Sequence, residues 1–201
     1  MDKLPFNWFD LVVIAVITLG CLKGRRRGMS QELVPLLKWA VILIGCAFLY
    51  RPVADFIASM SFSRLFASYA AYLVIAAVLA GVITALNRSL GGKLIGSDVF
   101  GKSEYYLGIA AGGVRYALIL LFGLALLNAR QFTLQELEQR RLYVQRNYDN
   151  DFFPHLHEVQ TSVFQNSFAG PPIRENLNFL LIRPVPAEQK ALRRKEFTLP
   201  M

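Results

Sequence analysis

Three charged residues stand inside otherwise apolar runs: Asp10, Lys38 and Arg115. A lone charge at mid-bilayer costs on the order of 2.5–3.5 kcal/mol even on lenient scales, so it must be paired or put to use. One acid between two bases fits either a structural ion pair or a polar seam that passes an ion, a proton or a small solute. Asp10 also has a local reading. Asn7-x-x-Asp10 matches a capping box, which would hold the carboxylate near headgroup level at a helix start.

Two further patterns point to chemistry, and each loses force in context. Gly96-Ser97-Asp98-Val99-Phe100-Gly101-Lys102-Ser103 matches the phosphate-loop spacing, in which backbone amides and Lys102 would hold a nucleotide's phosphates. A phosphate loop follows a buried strand, however, and this segment follows an apolar helix. His155-x-His157-Glu158 offers metal-ligand types, but a spacing of two suits a strand better than the helix expected there, and the chain has only 2 histidines. Cys21 and Cys46 lie in or beside apolar helices and read as small packing residues, because a zinc site needs more ligands. No nucleophile–base pairing, paired carboxylates or dinucleotide fingerprint is visible. The expectation is a protein without enzymatic activity, cofactor or metal.

The elements that must position these charges are long apolar helices. Of 201 residues, 54% are hydrophobic and 18% charged, too apolar for an ordinary soluble domain. Spans are expected at residues 4–22, 30–50, 68–86 and 105–127, each long enough for a hydrocarbon core of ~30 Å. They form a membrane domain over residues 1–128, followed by an extramembrane tail over 129–201. The fold class is an all-α membrane protein with four transmembrane helices and a helical, partly disordered tail. Residues 51–67 read as a connector containing a short interfacial amphipathic helix. In the tail, Thr133-x-x-Glu136 opens a helix, another is expected after Pro154, and the last fifteen residues read as disordered.

Between the first two spans, Lys23, Arg25, Arg26 and Arg27 crowd between Gly20 and Gly28 just before Glu32. A spacer this short cannot cross a bilayer, so its flanking helices form a hairpin, and the glycines permit the reversal. The cations hold this elbow in the aqueous, usually cytoplasmic, layer. That places the tail outside, although flanking Lys and Arg, the elbow's four included, are evenly divided between the two sides. Residues 1–128 hold 12 Lys+Arg against 6 Asp+Glu, so the excess cation sits between apolar runs, which suits headgroups and not nucleic acid. No cleavable signal peptide is expected, because the first apolar run leads into arginines.

Helical rise allows depth to be compared. Asp10 lies ~20 Å from Lys23, Arg115 ~16 Å from Glu104 and Lys38 ~12 Å from Ser30, which puts all three in the middle third of the bilayer. Asp10–Arg115 is the expected pair, because Glu32 sits too near the surface to reach Arg115 unless its helix is bent. Small residues recur at Ala77, Gly81 and Ala85, and again at Gly108 and Gly112, which are faces for close helix packing or for a homo-oligomer.

These features resemble the colicin V production protein family of small bacterial inner-membrane proteins. The likeness begins at Asn7-Trp8-Phe9-Asp10 and continues through Arg27-Gly28-Met29-Ser30-Gln31-Glu32-Leu33 to Trp39. It resumes at Leu107-Gly108-x-x-x-Gly112-Gly113-Val114-Arg115, and covers about residues 5–128. Tyr116 stands where the family usually has glycine, and Glu104-Tyr105 where an Asp-Arg pair is expected. The resemblance implies a role in colicin V production or export, or in envelope homeostasis. The alternatives are a small oligomeric transporter or channel built on Asp10, Lys38 and Arg115, and a scaffold that binds an envelope or secretion partner through its tail.

Overall fold

The computed structural model describes residues 6–60, 62–89, 101–131 and 156–186. Its first helix, α1 (Trp8–Ser59), starts at the expected capping box. The Asn7 side chain accepts from the Trp8 amide at 2.7 Å, and the Asp10 carboxylate accepts from the Asn7 amide at 2.9 Å. At 52 residues a straight helix would be ~78 Å long, more than two bilayer cores. Instead α1 breaks at Gly28, whose φ of 76° and ψ of 168° lie where only glycine is unstrained.

Contacts on either side of Gly28 give the direction of each limb against α3 (Glu104–Asn128). Before the break, Gly24 lies on Gly108 and Gly20 on Gly112, so the first limb is antiparallel to α3. Beyond it, Glu32 meets Arg115 and the Trp39 ring meets Phe122, so the second limb is parallel to α3. The limbs therefore run in opposite senses, as the basic elbow requires. α2 (Arg64–Ser89) packs antiparallel along the second limb, with Cys46 beside Tyr72 and Lys38 beside Thr84.

Two boundaries differ from expectation. The second apolar run does not stop at Tyr50: α1 continues through Pro52 to Ser59. Burial of Tyr50 and Ala54 accompanies the continuation, so packing outweighs the one backbone bond that Pro52 removes. Residues 51–67 are thus no separate interfacial helix, because their ends belong to α1 and α2. Ser63 immediately precedes α2, its hydroxyl accepting from the Phe66 amide at 3.3 Å.

Three helices are long and apolar enough to cross a membrane, and α1 is counted once among them. In their most apolar stretches only 22%, 17% and 28% of the residues are buried, so most of that surface needs an apolar solvent. Ile14, Leu37, Val78, Val82 and Val114 all face outward. The packed core lies towards the far end from Gly28, where Leu43, Cys46, Tyr72, Leu124 and Ala125 meet.

Residues 156–186 cover that end. They form α4 (Leu156–Phe164), α5 (Gly170–Asn176) and a two-residue strand, β2 (Val185–Pro186), parallel to β1 (Arg130–Gln131). A helix after Pro154 is therefore present. The helix expected from Thr133 and the disorder expected after residue 186 lie outside the described residues.

Candidate functional site

The site is built on glycine. A Cβ on Gly20 would lie 2.7 Å from the Gly112 carbonyl oxygen, and one on Gly108 would lie 2.7 Å from that of Gly24. The first limb and α3 therefore touch backbone to backbone. Gly108 and Gly112 pack inside this chain, not on an oligomer face. Ala77, Gly81 and Ala85 differ: all three are exposed, and nothing lies within 4 Å of a Cβ placed on Gly81.

This close approach, together with the break at Gly28, brings Glu32 to Arg115. Glu32 is fully buried and Arg115 is 8% exposed. Arg115 Nη1 donates to Glu32 Oε2, while Arg27 Nη1 stands 3.4 Å from Oε1, so one carboxylate is held between two guanidiniums. Glu32 also sits in the first turn beyond the break, where the helix dipole favours negative charge. Arg115 Nε is buried without a hydrogen-bond partner among the described residues.

Glu104 closes the elbow. Its Oε1 accepts from the Ser30 amide at 3.1 Å, and a Cβ on Gly28 would strike it at 2.8 Å. The neighbouring cations rest on aromatic faces. Arg25 lies 5.0 Å from the Tyr105 ring, and the Tyr116 ring is shared by Arg115 at 5.1 Å and Lys23 at 6.0 Å. The two positions that depart from the family pattern, Glu104-Tyr105 and Tyr116, thus both serve the elbow.

The expected layer of Asp10, Lys38 and Arg115 is not assembled, and Asp10 does not pair with Arg115. Asp10 is buried at the opposite end from the elbow. There it accepts the amides of Phe168 at 3.0 Å and Ala169 at 3.0 Å as well as that of Asn7. Lys38 is half-buried and donates to Thr84 Oγ1 at 2.9 Å. The error was in the partner's depth. A straight helix keeps Glu32 at the surface, and the break that Gly28 introduces turns it inward.

The same end holds contacts that no sequence motif announced. Tyr50 Oη accepts the Arg183 amide at 3.1 Å, and Asn128 Nδ2 donates to the Ile182 carbonyl at 3.0 Å. Gln160 Nε2 donates to the carbonyls of Arg130 at 3.0 Å and Leu127 at 3.3 Å. Ser162 Oγ accepts from Asn7 and from Trp8 Nε1. Of the phosphate-loop pattern, Gly101–Ser103 form a 3₁₀ turn leading straight into α3, and residues 96–100 lie outside the described part. His157 lies in the first turn of α4 and His155 lies outside the described part; no group of three metal-ligating residues occurs among the described residues. Cys21 and Cys46 are free thiols.

Long apolar helices with outward apolar surface, closing on a buried ion pair, define an α-helical membrane protein. The model of the family described as colicin V production protein matches residues 9–164, and the chain belongs to that family. No curated protein and no solved structure matches it.

Proposed function

We propose that this chain is a four-span protein of the bacterial inner membrane that serves colicin V production as a structural component, and that it presents residues 156–186 to an envelope or secretion partner. The two limbs of α1 count as separate spans, because their opposite directions against α3 make a hairpin. Lys23, Arg25, Arg26 and Arg27 support a cytoplasmic elbow and hence a tail outside the cytoplasm. The observation that carries the reading is the fixed seating of the tail. Asp10, Tyr50 and Asn128 bond its backbone, while Phe168 and Phe179 stay 68% and 65% exposed. Backbone bonds of this kind hold a surface in place, and large exposed aromatics are what partner interfaces use.

The test replaces Phe168 and Phe179 together by serine. Colicin V release should fall while the protein accumulates normally in the membrane, and unchanged release would remove the reading. A reporter fused after Met201 fixes the side on which the tail lies.

A second reading, transport, is supported by the buried Glu32–Arg115 pair with its unbonded Arg115 Nε. Ionisable residues inside membranes commonly mark solute or proton paths. Flux through liposomes that is abolished by Arg115→Ala, in protein that still folds, would favour it over the structural role.

A further inference from the structure

The second limb of α1 and α2 leave between them a cleft of about 620 Å³, lined by Lys38, Ala80, Gly81, Thr84, Ala85 and Arg88. It opens near the elbow end, since α2 runs towards that end and finishes at Ser89. We propose that this cleft holds the phosphate headgroup of an anionic phospholipid, with an acyl chain running inward over Ala80 and Gly81.

Charge is the first ground. Lys38 and Arg88 face the cleft, and no described carboxylate lies within ion-pair distance of either. Among the described residues the Lys38 ammonium bonds only Thr84, which leaves two of its three N–H donors, and the Arg88 guanidinium meets no partner. Thr84 donates to the Ala80 carbonyl at 2.6 Å, which holds its oxygen in place under Lys38. Basic pockets between membrane helices on the side that carries the basic loops are where anionic headgroups are bound.

Shape is the second ground. Arg88 and Thr84 lie one helical turn apart on α2, with Ala80 and Gly81 a further turn towards the bilayer centre. Arg88 thus stands at the helix end, Lys38 and Thr84 a turn deeper and the small side chains deeper again, in the order of a phospholipid's own parts. A Cβ on Gly81 would meet nothing within 4 Å, so the groove floor is open at that point. Arg88 is in the last turn of α2, where bare carbonyls repel anions, so the phosphate would rest on side chains and not on the helix end.

Native mass spectrometry of the full chain with phosphatidylglycerol and phosphatidylcholine of matched acyl chains tests this. Retention of phosphatidylglycerol should exceed that of phosphatidylcholine roughly thirtyfold, as two membrane-proximal cations provide. Lys38→Ala with Arg88→Ala should abolish the preference. Lys38→Arg with Arg88→Lys should keep it, as should Arg51→Ala at the other end of the bundle. Equal retention of the two lipids by the parent protein would overturn the proposal, as would an undiminished preference in the alanine pair. Efficient disulfide cross-linking of two copies through Gly81→Cys in native membranes would also overturn it, by giving the groove to a second chain.

Discussion

Arg115 on α3 and Glu32 on α1, 83 residues apart, form a buried ion pair directly beyond the break at Gly28. Arg27 lies against the carboxylate's other oxygen. Removing one partner leaves a buried charge uncompensated, at a cost of about 3–5 kcal/mol. Arg115→Ala or Glu32→Ala should each lower the membrane level of the protein sharply, read by immunoblot and by thermal unfolding in detergent. The double variant should be less damaged than the sum of the two, because neither charge is then stranded.

Gly112 and Gly81 are both expected packing glycines, and the structure separates them. Gly112→Val forces a side chain into the Gly20 and Gly24 backbone and should destabilise by about 1–3 kcal/mol. Gly81→Val enters open space and should leave thermal unfolding within about 0.5 kcal/mol of the parent.

Gly28→Ala should be costly for two separate reasons. Its φ of 76° is strained for any L-residue, by about 1–3 kcal/mol, and its Cβ would meet the Glu104 carboxylate. Measured against Glu104→Ala alone, which already lacks the bond to the Ser30 amide, the added loss in the double variant measures the backbone strain without the steric part.

Asp10→Asn keeps the cap's shape but weakens its charge-assisted bonds to Phe168 and Ala169. The tail should loosen first. Limited proteolysis should cut residues 156–186 several-fold faster while the apolar helices stay protected. Tyr50→Phe, which loses the bond from the Arg183 amide, should act in the same direction with an effect of about 1 kcal/mol.

The Tyr72 side chain is fully buried and its hydroxyl has no hydrogen-bond partner among the described residues. Tyr72→Phe removes a desolvated polar group and keeps the ring contact with Phe122 at 5.1 Å. Thermal unfolding should move upward or stay level, by up to about 1 kcal/mol, and a clear loss would mean that the hydroxyl has a partner.

Length and polarity are one-dimensional properties, and the chain alone was sufficient to locate the apolar runs, though not the end of the second, which packing carries on to Ser59. The apolar helices, the hairpin at the basic elbow, the capping box at Asn7 and the family followed from runs, spacings and residue types. Contact between distant residues is a three-dimensional property, and there the linear reading went astray. Counting rise along straight helices matched Asp10 to Arg115, but one glycine at positive φ redirects the chain and delivers Glu32 instead. Gly108 and Gly112 read as packing residues from their spacing, yet only the fold shows that they meet Gly20, Gly24 and Gly28 of the same chain. The tail's seat on Asp10, Tyr50 and Asn128 had no signature, because most of those bonds go to backbone groups, which are alike at every residue. Which donor meets which acceptor is decided by how the helices cross.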